Sequence, residues 1–131
     1  MNVVKVQNFR PHGETSGSPD WSYVPAVAGI SNTTTAVTIK DAVAGQRNYI
    51  TGIQVSTNSA LGAATVLAVR DGAGGTVLFR LAIPTTINPA GWSFVFPTPL
   101  RSTANTLLEV VTLTASVTGA VWVNVQGYVA P

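Results

Sequence analysis

The groups able to move protons in this sequence are few: one histidine, His12, and five carboxylates, Glu14, Asp20, Asp41, Asp71 and Glu109. His12 lies between Pro11 and Gly13 in a stretch without periodicity. A general base must be held within hydrogen-bond reach of the proton it takes, which such a stretch does not provide. A Ser-His-Asp triad would depend on that same imidazole, and no Gly-x-Ser-x-Gly elbow exposes a nucleophile. Asp71 and Glu109 could act as a glycosidase pair only if they flanked a cleft within about 10 Å. Their settings favour a turn residue for Asp71 and an outward or salt-bridged strand residue for Glu109. A calcium ion takes roughly six to eight oxygen ligands, and Asp71 with Asp41 falls short. Gly72, Gly74 and Gly75 are not followed by Gly-Lys-Ser/Thr, so they read as hairpin glycines and not as a phosphate loop. Cysteine is absent, which removes disulfides and thiolate metal sites. The expectation is a chain without catalytic residues, metal or cofactor, and not an enzyme.

What remains is recognition. Only 9% of the residues are charged, against roughly 25% in an ordinary soluble domain. A surface built from Thr, Ser, Asn and Gly is covered by another protein at a small desolvation cost, which favours a subunit of an assembly. The formal charge of +2 comes from Lys5, Arg10, Lys40, Arg47, Arg70, Arg80 and Arg101 set against the five acids. These cations are scattered singly, whereas a nucleic-acid surface needs them clustered. No nucleic-acid partner is expected. No apolar run reaches the ~20 residues that cross a bilayer, and residues 1–10 lack the apolar centre of a signal peptide. No membrane partner is expected either.

The elements that would position a recognition surface are strands. Residues 48–56 alternate, with Ile53 and Val55 on one face and Gln54 and Ser56 on the other. Residues 57–59 and Gly62 break the strand, residues 64–70 form the next, and Asp71-Gly72 opens a tight turn. Thr76–Ile83 follows, apolar apart from Arg80; such a run has both faces covered, or one face in the core and one against a partner. Upstream, residues 21–30 read as extended with Pro25 at an edge or a strand start, and residues 34–40 alternate around Val37 and Ile39. Downstream, residues 92–96 place Trp92, Phe94 and Phe96 on one face, and Pro97 and Pro99 are expected to end that strand. Residues 107–114 form another strand. Ala120–Ala130 closes the chain, with Val121, Val123 and Val125 opposite Trp122, Asn124, Gln126 and Tyr128. Roughly eight strands joined by Gly, Pro, Asn and Ser turns predict an all-β, antiparallel, jelly-roll-like sandwich over residues 21–131. Residues 1–20 mix Pro, Gly, Ser and charge and read as an extended N-terminal arm. The interface candidates are Phe9 and Arg10 on that arm, and Trp122, Asn124, Gln126 and Tyr128 on the polar-aromatic face of the last strand.

The segment GQRNYITGIQVSTNSALGAATVLAVRDG, the strand TVLFRLAIP and the ending VWVNVQGYVA resemble the small β-sandwich proteins of tailed-bacteriophage particles. The resemblance covers residues 21–130. It implies a jelly-roll decoration or cement protein on the capsid surface, assembled in the host cytoplasm. It also implies a homodimer or homotrimer that clamps the major capsid protein. Related modules occur in tails and fibres, where Trp92, Trp122 or Tyr128 would instead face a bacterial surface glycan. The resemblance carries over no catalytic residue.

Overall fold

In β4 (Arg47–Thr57) and β9 (Ala120–Ala130) burial largely alternates from residue to residue, as a strand between a core and an open face requires. The computed structural model describes residues 19–85 and 90–131. The other strands are β1 (Asp20–Tyr23), β2 (Ile30–Ser31), β3 (Val37–Lys40), β5 (Thr65–Asp71), β6 (Thr76–Ile83), β7 (Gly91–Arg101) and β8 (Leu108–Thr112). Among the described residues there is no helix.

The pairing is nested. β5 meets β6 across the 72–75 turn, β4 meets β7, β3 meets β8, and β1 and β2 both meet β9, all antiparallel. The chain is thus one long hairpin, rolled so that β4 also pairs with β9 and β5 with β8. Two sheets result, β1-β9-β4-β7 with β2 also on β9, and β3-β8-β5-β6. That order is a jelly roll, as the strand pattern predicts. Ile50, Ile53, Val55, Val121, Val123 and Val125 of the first sheet meet Leu67, Val69, Leu108 and Val110 of the second, all buried. Each such side chain contributes about 1.5–3 kcal/mol through burial. A register shift across Thr51 lets Ile50 and Ile53 share the inner face despite their odd spacing. Along the open side, Phe79 of β6 contacts Phe94 and Phe96 of β7 edge-on, with centroids 5.0 and 5.8 Å apart.

Two expectations need correction. The segment read as extended over residues 21–30 is interrupted at 24–29, so the described residues form nine strands, in keeping with the roughly eight expected. Pro25 has no N–H to give a ladder, and Gly29 turns at φ +65° beside the Trp122 ring. β7 does not stop at Pro97 but runs to Arg101. It is an edge strand, and its register jumps from Val95↔Gly52 to Leu100↔Ile50, so both prolines sit in a bulge where no ladder donor is needed. The apolar β6 is also an edge strand, with Arg80 and Ala82 exposed on its outer side.

Loops close both ends. At one end the buried Asn48 amide donates to the carbonyls of Asp41 and Thr106 at 3.1 and 3.2 Å, and Asp71 accepts from the Thr103 N–H and hydroxyl. At the other end, Gly62 and Ala63 donate to the carbonyls of Thr118 and Ser116 at 3.1 and 2.9 Å. There Val117 has φ 67°, a conformation that costs a β-branched residue of order 1–3 kcal/mol.

Gly127 is tightly packed between two strands. A Cβ there would lie 1.9 Å from the Tyr49 carbonyl oxygen and 2.6 Å from the Trp21 ring. Gly127→Ala should therefore lower stability by about 2–3 kcal/mol, read as a fall in the urea midpoint at constant slope. Gly91→Ala is the control, since its Cβ would meet nothing nearer than 3.7 Å; that change should stay within about 0.5 kcal/mol.

Candidate interaction face

The side chains that β9 turns away from the core do not stand alone. Register sets Trp122 beside Ser56, Asn124 beside Gln54, Gln126 beside Gly52 and Tyr128 beside Tyr49 of β4. On the far side of β4, Gly91, Ser93 and Val95 of β7 lie opposite Ser56, Gln54 and Gly52. Ser22 and Asp20 of β1 lie opposite Gln126 and Tyr128. The outer face of this sheet is therefore a continuous surface of amide, hydroxyl and aromatic groups. Among the described residues, charges enter it near one end, at Asp20, Arg47 and Arg101.

Four of its polar side chains, Tyr49, Gln54, Trp122 and Gln126, find partners within the chain. Gln54 and Gln126 exchange reciprocal amide hydrogen bonds of 2.9 and 2.7 Å, each donating to the other's oxygen. Gly52 makes this possible, because a Cβ there would lie 2.9 Å from Gln126 Oε1. The Tyr49 and Tyr128 rings stack at 4.7 Å and 5°, and the Tyr49 hydroxyl donates to the Pro131 carbonyl at 3.1 Å. Trp122 Nε1 donates to the Val27 carbonyl at 3.0 Å. A polar surface whose groups already pair with one another loses less on leaving water than one whose groups depend on solvent. Val95, 77% exposed at the centre of its strand, supplies bare apolar area.

Of the interface candidates, Trp122, Asn124, Gln126 and Tyr128 share this one face, and Phe9 and Arg10 lie outside the described residues. Tyr49, Gln54, Ser93 and Val95 belong to the same face and were not among the candidates. Alternation within β4 and β7 marks Gln54, Ser93 and Val95 as outward, whereas Tyr49 has the parity of Ile53 and Val55 and is turned outward by the register shift across Thr51. Only the pairing of β4 with β9 and β7 shows that they adjoin.

The aromatic residues divide. Trp21, Tyr23 and Trp92 turn inward and pack on the core. Trp122 is half-buried and holds the 24–29 loop, which borders an open cleft lined by Val24, Ala26, Val27, Ser56, Trp122 and Asn124. The two carboxylates considered for chemistry also separate. Asp71 lies opposite Leu108 in the register and Glu109 opposite Arg70, so they project from opposite faces of the second sheet. Glu109, 5% exposed, accepts from Arg70 Nε and Nη2 at 2.7 and 2.6 Å and from the Gly74 N–H at 2.9 Å. That is the salt-bridged strand residue expected of it. The pair fixes the 72–75 turn to β8, and removing Arg70 would leave the buried Glu109 carboxylate without its charged partner.

Trp122→Ala should cost about 1–3 kcal/mol and release the 24–29 loop, since the Val27 carbonyl loses its donor. Amide exchange at residues 26–29 should quicken while the β4–β9 ladder stays protected. Unchanged exchange there would show that the indole does not hold the loop.

No family model matches the chain, and no curated protein matches it. Among solved structures it is similar to the coat protein of tobacco streak virus, with 11% identity and a TM-score of 0.42, covering 91% of this chain and 92% of that one. At that score the likeness says nothing of what this chain binds or builds.

Proposed function

We propose that this protein is a non-enzymatic structural component of a virus particle, a cement protein that binds the outside of a capsid shell and stabilises it. The reading takes its start from the phage-like segments within residues 21–130. The observation that carries it further is the outer face of the β1-β9-β4-β7 sheet, uncharged over most of its area and with the Gln54, Gln126 and Trp122 donors paired internally. Such a face suits broad contact with protein better than capture of a small polar ligand.

Size supports a second contact. Four strands at ~4.8 Å spacing and about eleven residues at ~3.3 Å rise give on the order of 700 Å² of face. A standard interface takes about 800 Å² from each partner, so the face alone falls somewhat short. The 1–20 segment, read as an arm, would supply the rest by ordering on a neighbouring subunit. The partner in this reading is the major capsid protein, and a dimer or trimer of this chain would multiply modest contacts by avidity across the shell. Capsid assembly would take place in the host cytoplasm.

The cleft beside Trp122 favours one other reading, a tail or fibre module that holds a surface glycan between Trp122 and Asn124. Particle imaging separates the two, because a cement protein contributes density across the head and a fibre module contributes it at the tail.

Shells carrying the protein should resist heat and mechanical load better than shells stripped of it; equal resistance with no density on the head removes the proposal. Val95→Lys puts a charge into the middle of the face at an exposed position. It should leave the melting temperature within a degree or two and weaken shell attachment about tenfold or more. Deleting residues 1–18 should spare the fold and reduce occupancy on the shell, and full occupancy after that deletion would show the arm to be passive.

A further inference from the structure

Among the described residues, two buried side-chain atoms able to hydrogen-bond have no partner in the chain, Trp21 Nε1 and Asn48 Oδ1. The first can only donate and the second can only accept. The Asn48 amide is not free to exchange its ends. Its Nδ2 already donates to the carbonyls of Asp41 and Thr106 at 3.1 and 3.2 Å, and an oxygen turned there would face two other oxygens. Leaving a buried donor or acceptor unmet is costly, and folded proteins rarely do so.

The fold brings the two groups to one place. Trp21 pairs with Gly127 and Gly127 with Ile50, while Asn48 pairs with Val129, two residues further along the same strands. Trp21 packs on the core, and Asn48 is buried beside it on the inner side of the sheet. A Cβ on Gly127 would lie 2.8 Å from Trp21 Cε2, the ring carbon bonded to Nε1, and closer still to the Tyr49 carbonyl oxygen. The indole therefore lies across the bare Gly127 backbone, and its N–H edge reaches the main chain of β4 one residue from Asn48. The register shifts between Ile50 and Gly52, which interrupts the ladder at this point. A water molecule there would accept from Trp21 Nε1. It would give one hydrogen to Asn48 Oδ1 and the other to a lone pair of the Tyr49 carbonyl. About three such bonds are the usual complement of a buried water.

We infer that Trp21, Asn48 and Tyr49 hold a single structural water that joins β1 to the β4–β9 ladder. An ion does not suit the place, since the indole N–H repels a cation and the two carbonyl oxygens repel an anion. The site lies where residues 1–18 enter the fold. The Pro19 carbonyl accepts from the Val129 N–H at 2.8 Å, and Val129 pairs with Asn48. The water thus helps to hold the root of that segment against the ladder. It is a property of the isolated chain and stands whether or not the protein lies on a shell.

The full chain carries three tryptophans, so nitrogen-15 labelling of tryptophan gives three indole signals, assigned by replacing each ring with phenylalanine. The Trp21 indole should show direct cross-relaxation to a water held for longer than the protein takes to tumble, and Asn48→Ala should abolish it. A high-resolution crystal structure should place one water within about 3.2 Å of both Trp21 Nε1 and Asn48 Oδ1. Trp21→Phe keeps an aromatic ring near Gly127 and removes the donor. It should lower the melting temperature by about 3–6 °C. Asn48→Ala should lower it too, but by less in the Trp21→Phe background than in the wild type, because the shared water is already lost there. The wild-type spectrum and crystal decide the matter even if Asn48→Ala does not fold. The inference is overturned by a Trp21 indole without that cross-relaxation, by a direct Trp21–Asn48 hydrogen bond with no water between, or by melting-temperature losses that simply add.

Discussion

The ladder between β4 and β9 is the constraint on which the rest of the molecule depends. Ten register pairs join residues 47–57 to residues 121–130, segments separated by about half the chain. On one side this ladder presents Ile50, Ile53 and Val55 with Val121, Val123 and Val125, the floor of the core. On the other it presents the Gln54–Gln126 pair and the Tyr49–Tyr128 stack. Closing so long a loop costs chain entropy that local contacts cannot offset. The nested hairpins β5–β6, β4–β7 and β3–β8 bring the chain ends progressively nearer before that ladder has to form. A fold dominated by such non-local pairings belongs to the slow end of the folding range for its size.

Tying the ends of the sandwich falls to polar groups, placed where a carbonyl or N–H would otherwise be stranded. The Asn48 amide joins the 41–46 and 102–107 loops, and Glu109 joins the 72–75 turn to β8 through Arg70 and Gly74. These contacts involve few charges, which fits a chain with only 9% charged residues. The acids that could have suggested catalysis serve this purpose in the structure, each held by partners on a different side of its sheet.

Internal satisfaction also gives the outer face its character. Reciprocal amide bonds, a stacked tyrosine pair and an indole bonded to a loop carbonyl leave a broad surface that is polar in composition yet makes modest demands on solvent. Burying charged groups is expensive and burying paired amides is not. Low charge and internal pairing therefore act in the same direction, toward a molecule suited to lying against other proteins.

Much of the architecture was legible from residues alone. The bounds of Thr76–Ile83 and Ala120–Ala130 follow from alternation and turn residues, as does the inward set Val121, Val123 and Val125. So does the reversal at Asp71-Gly72. The outward status of Trp122, Asn124, Gln126 and Tyr128 was equally clear. Pro97 and Pro99 misled, because a proline ends a central strand but sits comfortably in the bulge of an edge strand, and edge position is not a local property. The positive φ of Val117 was invisible, since nothing in a valine announces it and the loop contacts that impose it come from residues 60–63 and 119. By itself, the sequence determined strand content, the two-faced character of each strand and the scarcity of charge, all set by side-chain type at a spacing of two residues. Only the tertiary structure decided which faces adjoin, which polar groups find each other and which residue is held under strain, because those depend on pairings between segments far apart in the chain.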